Sequence, residues 1–142
     1  MNKQISVFSA VCIKDNKVLM VLRDEEENPD AHLKWEFPGG KCDFGETPQE
    51  SLERECKEEA GIIVKATTLL PYVQTAYWDY DWGKQQTLCF LFLCEYIKDY
   101  PQKVKDHHVR EIAWLELDKA KTIPSLPGTN EVLALVEKIK AV

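Results

Sequence analysis

The sequence predicts an α/β fold in which strands alternate with two helices. Apolar, β-branched segments of strand length recur along the chain, and two segments show helical spacing of apolar residues, Pro48–Ala60 and Thr129–Ala141. A chain of 142 residues is long enough to bury about two-thirds of the surface that its unfolded form exposes. We therefore expect one domain, residues 1–142, built as a sandwich of a sheet and helices.

The first half of the predicted sheet begins with a hairpin. Ile5–Ile13 and Val18–Leu22 are apolar and rich in β-branched residues, and Asp15–Lys17 between them has the composition of a turn. Asp24–Pro29 is acidic and breaks the pattern, which predicts an exposed loop. A short strand is expected around Trp35–Phe37.

The second half contains the predicted central strand. Ile62–Tyr77 has an extended pattern, and Thr87–Tyr96 is a nearly continuous apolar run, which is typical of a buried strand. Val109–Leu117 is expected to close the sheet. The helix over Thr129–Ala141 is expected to pack on the sheet through four apolar residues, Val132, Leu135, Val136 and Ile139.

The first helix is bounded at both ends by recognisable signals. Thr47 supplies an N-cap hydroxyl, Pro48 stands at the first helical position, and Glu50 is placed to return a hydrogen bond to the cap. Gly61 provides the left-handed residue that ends many helices. These signals predict a helix over residues 48–60.

Three carboxylates lie close together on this helix. At 100° per residue, Glu55, Glu58 and Glu59 fall within about a third of the circumference. Like charges at this spacing cost roughly a few tenths of a kcal/mol per pair, so folding alone does not favour the cluster. A divalent cation would reverse that cost, whereas the simpler interpretation is a solvated acidic face. The neighbouring arc is apolar and is expected to pack: Leu52, Cys56 and Ala60.

The spacing of these residues resembles the signature of the Nudix hydrolases, G-x5-E-x7-R-E-U-x-E-E-x-G-U, in which U is aliphatic. Every glycine and charged position is matched over 23 residues, and Cys56 is the one departure, at an aliphatic position. Cysteine behaves there as a small buried hydrophobic residue, so the departure is expected to alter packing and not chemistry. The matched residues are Gly40, Glu46, Arg54, Glu55, Glu58, Glu59, Gly61 and Ile62.

The Nudix resemblance implies a mixed β-sheet between helices, and an enzyme that cleaves a nucleoside diphosphate linked to another group by water attack on phosphorus. It implies Mg²⁺, with Mn²⁺ as an alternative, bound by Glu55, Glu59 and a backbone carbonyl of the Gly39–Gly40 turn. Glu58 would be a further ligand or the base that prepares the water. Arg54 would orient Glu55 through a charge-assisted hydrogen bond, although a surface ion pair also explains it.

Many Nudix members take one more carboxylate from a later loop. The candidates in this sequence are Glu111 and Asp106, although such residues are more often plain surface charge. His107 and His108 lack the cysteines and spacing of a zinc site, so we interpret them as loop residues.

Within the family, the chain most resembles the MutT-type enzymes, which hydrolyse oxidised guanine nucleotides such as 8-oxo-dGTP. The resemblance lies in Glu36–Lys41, Gly45–Pro48, Arg23, Asp30–His32 and Asn130–Glu131. It implies hydrolysis of 8-oxo-dGTP or a related nucleoside triphosphate to a nucleoside monophosphate and pyrophosphate.

The same resemblance implies a set of substrate-binding residues. The residues that match Arg23 and His32 lie near the phosphates and sugar, and Glu36 and Phe37 belong to the substrate site, with Phe37 lining the base pocket. The residue that matches Asn130 contacts the base edge, which suits an amide that offers a donor and an acceptor together. Asn130 is equally explained as a helix-start residue.

Two features differ from that branch and keep other functions open, namely the acidic loop Asp24–Pro29 and the aromatic residues Tyr77, Trp78, Tyr80 and Trp82. These rings either fold back on the sheet at a hairpin tip or form a stacking surface for a nucleobase. One alternative is a Nudix enzyme for another nucleotide, such as CTP or dCTP, a nucleotide sugar or the 5′ end of RNA. The other is a Nudix-fold binding module without turnover.

Composition argues against several classes of function. The net charge of −6 opposes binding of long nucleic acid, so the expected partner is a small nucleotide. Five cysteines without a C-x-x-C pair argue against a disulfide framework and a zinc site. No apolar run has membrane-spanning length, and residues 1–10 do not resemble a signal peptide, so we expect a cytoplasmic protein without membrane contact. The sequence does not determine the oligomeric state.

Overall fold

A seven-stranded mixed sheet forms the centre of the computed structural model, which describes residues 1–101 and 108–140. Three residues of the sequence interpretation, Asp106, His107 and Ala141, lie outside that part of the chain. Within the described ranges, no helix has the length and apolar character that a membrane span requires. The elements in chain order are β1 (Asn2–Lys14), β2 (Lys17–Arg23), β3 (Trp35–Glu36), β4 (Gly39–Lys41), α1 (Pro48–Ala60), β5 (Ile62–Tyr80), β6 (Gly83–Asp99), β7 (Val109–Glu116), α2 (Leu117–Ala120) and α3 (Thr129–Lys140).

Strand β1 connects the two halves of the sheet. Its residues 2–12 pair in parallel with β6, and β6 pairs antiparallel with β5. On its other side β1 pairs with β4 through residues 7–9 and with β2 through residues 13–14. Strand β2 in turn pairs with β3 and β7. The short strand β4 therefore lies directly beside the middle of β1.

Helices cover both faces of the sheet. Alternate residues of a strand point to opposite faces, so Ala10 and Cys12 belong to the core under α1 while Val11 belongs to the core under α2 and α3. Helix α1 packs through the apolar arc that the sequence predicts, which consists of Leu52, Cys56 and Ala60. The predicted α/β fold, with a mixed sheet between helices, is confirmed.

Helix α1 has the predicted caps at both ends. The Glu50 backbone N–H donates to the Thr47 hydroxyl at 3.2 Å, and the Thr47 backbone N–H donates to the Glu50 carboxylate at 2.9 Å. Gly61 follows in the left-handed conformation with φ of 64°. These local contacts fix where α1 begins and ends, and thereby which way its carboxylates point.

Helix α3 departs from the prediction at two positions. Val132, Leu133 and Val136 are fully buried, whereas Ile139 is 37% exposed. Residues seven apart share a helix face, so Ile139 is on the same side as Val132 but falls in the last turn, beyond the packed part of the core. Leu133 was missed because it lies at the edge of the predicted stripe.

The hairpin of β5 and β6 is longer than predicted. Strand β5 continues past Tyr77 to Tyr80, and β6 begins at Gly83 instead of Thr87, so only Asp81 and Trp82 form the turn. Pairing between the two strands outweighs the turn-like composition of this segment, because propensity in strands depends on the partner strand. The extra length places Tyr77, Trp78 and Tyr80 within β5 and not in a turn.

The core under α1 predicts a clear difference between two identical substitutions. Leu52→Ala removes a fully buried side chain and should lower the free energy of unfolding by about 2–5 kcal/mol. Leu69→Ala changes a side chain that is 56% exposed and should cost less than about 0.5 kcal/mol. Urea unfolding of both variants measures the difference, and equal losses would contradict the assignment of Leu52 to the core.

Candidate active site

A cavity of about 620 Å³ runs along β1 beside the β5–β6 hairpin. The residues of β1 that line it alternate along the strand, from Lys3 through Ile5 and Val7 to Ser9. At the rise of a β-strand these positions span about 20 Å. Ser9 lies beside the Gly39–Gly40 segment of β4, and Lys3 lies at the hairpin tip, so the two ends of the cavity differ in chemistry.

The first end is built by Gly39, Gly40 and two glutamates of α1. Glu59 is only 8% exposed and accepts the Gly39 backbone N–H at 2.6 Å. A Cβ on Gly40 would lie 2.7 Å from the carboxyl carbon of Glu55, and one on Gly39 would lie 2.3 Å from the Phe8 carbonyl oxygen. Only bare backbone fits here, which brings peptide carbonyls and carboxylates together.

Arg54 holds the carboxylates that surround this end. Its guanidinium donates to Glu46 at 2.8 and 3.0 Å, to Glu55 at 3.1 Å and to Glu58 at 3.2 Å, and it also reaches the Lys41 carbonyl at 3.3 Å. The hydrogen bonds to Glu46 are the largest cause of a pKa for Arg54 that lies above its ordinary value, followed by partial burial, which opposes them. The predicted Arg54–Glu55 hydrogen bond is present. Arg54 therefore offsets part of the repulsion among the glutamates of α1.

The three glutamates of the acidic cluster are not equivalent. Glu55 and Glu59 line the cavity, whereas the side chain of Glu58 is 47% exposed and turns toward Arg54 outside the lining. Within residues 1–101 and 108–140, no group of three or more His, Cys, Asp or Glu side chains is arranged to hold a metal ion. A metal at this end would be held by two carboxylates and backbone oxygens.

The donor set at this end fits Mg²⁺ in chemical type. Magnesium prefers oxygen ligands and is commonly bound through one or two carboxylates together with substrate phosphates. Glu55 and Glu59 supply the carboxylates, and the close approach of Glu55 to Gly40 leaves the backbone of the turn next to them. The role of Glu58 as ligand or base stays a prediction.

Arg23 lines the cavity beside the Tyr80 hydroxyl and is clamped by two carboxylates. Its guanidinium donates to both oxygens of Glu36 at 2.8 and 3.1 Å and to Glu25 at 3.0 and 3.1 Å. Burial would lower the pKa of Arg23, but Glu36 and Glu25 outweigh it and the pKa lies above its ordinary value. A phosphate near Arg23 would compete with both carboxylates. Phe37 lines the cavity, and its contact with a base stays a prediction.

His32 does not reach the cavity. Its Nδ1 accepts the Glu25 backbone N–H at 3.0 Å, so His32 orders the loop after β2. Asn28 in that loop is 1% exposed and donates to the Tyr80 hydroxyl at 3.2 Å. The loop predicted to be exposed over Asp24–Pro29 is exposed at Glu26, Glu27 and Pro29, and the prediction is wrong only at Asn28. The contact of His32 with phosphate or sugar stays a prediction that this arrangement does not support.

Asn130 also lies away from the cavity lining. Its exposed side chain donates to the Lys121 carbonyl at 3.2 Å, and the neighbouring Thr129 is the residue that is buried. Contact of Asn130 with the base stays a prediction that this geometry does not support. The interpretation as a helix-start residue agrees better with its position.

The second end of the cavity is aromatic. Trp78, Tyr80 and Trp82 line it, and the rings of Tyr80 and Trp82 stack at 5.3 Å with an interplanar angle of 8°. Burial is the largest cause that raises the pKa of Tyr80. Tyr77 lies on the opposite face of β5 and is 62% exposed. Of the four clustered rings, three therefore face the same space as the glutamates.

Several cavity residues were missed by the sequence interpretation: Lys3, Ser9, Glu25, Gln74, Gln85, Thr87 and Cys89. The signal that would have found some of them is the period of two on β5, since Gln74, Ala76, Trp78 and Tyr80 alternate along one face. Burial raises the pKa of the Cys89 thiol to about 12, and the thiol donates to the Ser9 hydroxyl at 3.2 Å. It is an unreactive part of the floor.

The late-loop candidates are only partly described. His108 lines the cavity and its carbonyl accepts the Asp24 backbone N–H at 2.7 Å. Glu111 is exposed on β7, opposite Leu22, and does not line the cavity. The contribution of a late carboxylate stays a prediction.

A model of the NUDIX domain family matches residues 3–136. The 8-oxo-dGTP diphosphatase of Proteus vulgaris is 36% identical over 93 residues, which are 66% of this chain and 78% of that protein. In two further 8-oxo-dGTP diphosphatases, the match spans 57% and 46% of the relative's length. The CTP pyrophosphohydrolase of Escherichia coli (strain K12) is 25% identical over 140 residues, which are 98% of this chain and 96% of that protein.

Solved structures agree on the fold. The MutT protein of Methanosarcina mazei Go1 superposes with a TM-score of 0.73 at 20% identity, covering 98% of this chain and 97% of that one. The chain belongs to the Nudix family, and it is a hydrolase of phosphoric anhydride bonds. The resemblance to MutT-type members is also confirmed.

The Arg54–Glu46 pair predicts a stability difference that depends on pH. The hydrogen bond from Arg54 lowers the pKa of Glu46 in the folded protein below its ordinary value of 4.5. The ionised pair therefore stabilises the fold fully above pH 4.5, and this contribution is lost as pH falls through the folded-state pKa. Glu46→Gln should lower the melting temperature at pH 7 but make little difference in strong acid, where Glu46 is already neutral.

Thermal melts of the wild type and Glu46→Gln from pH 7 down to strongly acidic buffer measure this difference. Glu95→Gln, on an exposed position of β6, serves as the matched control and should leave the melting temperature unchanged throughout. A gap between wild type and Glu46→Gln that keeps its size in acid would contradict the pairing.

Proposed function

We propose that this protein is a Mg²⁺-dependent nucleoside triphosphate pyrophosphohydrolase, with 8-oxo-dGTP as the leading substrate. The observation that carries the proposal is that one cavity joins two unlike ends, with the glutamates and glycine turn at one and three aromatic rings at the other. A nucleoside triphosphate has the same two chemistries, an anionic phosphate chain and an aromatic base. The relatives named as 8-oxo-dGTP diphosphatases support the choice of substrate.

In this proposal the phosphates lie at the end formed by Glu55, Glu59 and the Gly39–Gly40 turn, whose oxygens would hold Mg²⁺. When bound there, Mg²⁺ would neutralise phosphate charge and polarise the attacking water. Water adds to phosphorus, the phosphoric anhydride bond breaks, and the products are a nucleoside monophosphate and pyrophosphate. The chain's own part is to fix the carboxylates, since phosphoryl chemistry depends chiefly on positioning and charge stabilisation.

Arg54 is the positioning residue of the proposed centre. It is anchored by two hydrogen bonds to Glu46 and presents Nη1 to Glu55 and Glu58. Because the Glu46 pair fixes the guanidinium plane, Glu55 is oriented before any ligand arrives. Glu58 belongs to the same hydrogen-bonded group, and we retain it as the candidate base or further ligand.

The base would lie against the hairpin rings. Stacking on an aromatic side chain contributes roughly 1–3 kcal/mol per base and tolerates different bases, so it supplies affinity more than selectivity. Glu36 and Phe37 line the same cavity, which supports their proposed place in the substrate site. The net charge of −6 favours a small nucleotide over a polynucleotide. We propose the cytoplasm, where such nucleotides are found, as its location.

A second candidate substrate is CTP or dCTP. The CTP pyrophosphohydrolase of E. coli aligns over almost the whole of both chains, whereas the 8-oxo-dGTP diphosphatases align over shorter segments at higher identity. A panel of nucleoside triphosphates with Mg²⁺, compared by kcat/KM, separates the two candidates because specificity is the ratio of these values.

The proposed metal centre predicts the effect of removing one carboxylate. Glu55→Gln keeps the shape of the side chain but removes its charge, and should lower kcat/KM by about 100-fold or more. Chelation of the metal should abolish hydrolysis, and added Mg²⁺ should restore it. Glu58→Gln tests the remaining role, since a loss below about tenfold would remove Glu58 from the chemical step.

The control for these variants is Glu53→Gln on the same helix. Glu53 accepts the Ala66 backbone N–H at 3.0 Å, a bond that a glutamine oxygen can also accept, and it does not line the cavity. Its kcat/KM should stay within about threefold of the wild type, because no charge near the reaction changes. Equal losses for Glu55→Gln and Glu53→Gln would mean that general helix charge matters and the proposed centre does not.

The aromatic end predicts a loss of substrate binding. Trp82→Ala removes a ring that lines the cavity and should raise KM by about fivefold or more with little change in kcat. Tyr77→Ala removes a more exposed ring on the other face of the same hairpin and should leave KM unchanged. Steady-state kinetics on the best substrate provide the comparison, and equal KM values for both variants and the wild type would exclude base stacking at Trp82.

A further inference from the structure

Gln74 is a buried amide at the floor of the cavity. It is 8% exposed, lines the cavity, and lies on β5 four residues before Trp78 on the same face. Gly128, with φ of +89°, allows the loop before α3 to approach, since a Cβ there would lie 3.0 Å from Cγ of Gln74. Gln74 is thus enclosed by the loop on one side and open to the cavity on the other.

The orientation of the Gln74 amide follows from its partners. Nε2 donates to the Pro127 carbonyl at 2.5 Å and lies 3.5 Å from the Thr129 hydroxyl. A carbonyl oxygen only accepts hydrogen bonds, so the nitrogen must face Pro127 and the oxygen must face the other way. The loop therefore fixes which of the two amide atoms is presented to a ligand.

The oxygen of this amide can accept a hydrogen bond from a ligand. Among residues 1–101 and 108–140, no group donates a hydrogen bond to Oε1 of Gln74, although the side chain is nine-tenths buried. The oxygen is not sealed from solvent, so a molecule in the cavity can reach it. A ligand that covers this oxygen without supplying a donor leaves it unsatisfied, whereas a ligand N–H replaces the hydrogen bond that solvent can donate.

We propose that Oε1 of Gln74 selects nucleotides whose base presents an N–H donor to the cavity floor. The inference rests on the proposed function, because it assigns a specificity-determining residue within the same cavity. Trp78 and Tyr80 lie further along the same face of β5, so a base stacked near them would have an edge directed along the strand toward Gln74. Stacking accepts any base, and the fixed acceptor supplies the discrimination.

Base chemistry turns this geometry into two comparisons. Guanine presents only acceptors at N7 and O6 on its major-groove edge, whereas oxidation at C8 places a hydrogen on N7 and converts that atom to a donor. Cytosine presents an N4 amino donor where uracil presents an O4 acceptor. Gln74 should therefore favour 8-oxoguanine over guanine, or cytosine over uracil, according to which base fits the cavity.

The test measures base preference in wild-type protein and in Gln74→Met. Binding of 8-oxo-dGMP, dGMP, dCMP and dUMP is followed by tryptophan fluorescence, and kcat/KM is measured for the corresponding triphosphates with Mg²⁺. The wild type should prefer the donor-bearing member of at least one pair by about tenfold or more, and Gln74→Met should reduce that ratio to near one. Loss of the base preference would be specific to Gln74 as an acceptor, because a merely structural role would weaken the binding of all four nucleotides alike.

Gln86→Met is the matched control. The side chain of Gln86 forms hydrogen bonds with Tyr77 and Gln4, two exposed strand residues, and does not line the cavity. The same substitution there should leave unchanged the preference for 8-oxoguanine over guanine and for cytosine over uracil. If Gln74→Met does not fold, the base preferences of the wild type still test the proposal. A wild type that prefers the donor-bearing base in neither pair would overturn it.

The remaining outcomes separate this proposal from the proposed function. Hydrolysis of triphosphates with an unchanged ratio in Gln74→Met would overturn the role of Gln74 and leave the function standing. Binding preference that depends on Gln74, without hydrolysis of any nucleotide, would overturn the function and support the role of Gln74. Absence of both hydrolysis and donor preference would overturn both.

Discussion

The crowding of three glutamates on one helix is the constraint on which the site depends. Glu55, Glu58 and Glu59 repel one another, and two hydrogen-bond donors from other residues offset this repulsion. Arg54 bonds Glu55 and Glu58 while anchored to Glu46, and the Gly39 backbone N–H bonds Glu59. These bonds tie α1 to the β4 segment, and they leave two carboxylates beside bare backbone at one end of the cavity.

The length of the β5–β6 hairpin sets the other end. Because β1 runs parallel to β6 and beside β4, a single strand leads from the glycine turn to the hairpin tip. Polar and apolar residues that alternate along these strands divide between the cavity and the opposite face. The register of the sheet therefore produces a nucleotide-sized cavity with carboxylates at one end and aromatic rings at the other. Helix α1 contributes only to the carboxylate end.

The bounds of helix α1 and the face that carries its glutamates could be predicted from the sequence, because they depend on local contacts. The caps Thr47 and Gly61 and the acidic face of α1 depend on neighbours within a few residues, so their geometry was predictable. His32 contacts Glu25 within its own loop and Asn130 contacts Lys121 after α2, and resemblance to a family did not reveal either partner. The period of two on β5 places Gln74 on the cavity face, but the orientation of its amide could not be predicted, because it depends on Pro127, 53 residues away.

The position of the bound metal would show whether Glu55, Glu59 and the glycine turn form the metal centre. Crystals of the protein with Mn²⁺ and a non-hydrolysable nucleoside triphosphate analogue would locate the ion by its anomalous scattering. We expect a peak between the carboxylates of Glu55 and Glu59 and a backbone oxygen of the Gly39–Gly40 turn, with Arg54 still paired to Glu46. A peak elsewhere on the protein, or none at this end of the cavity while the nucleotide is bound, would contradict it.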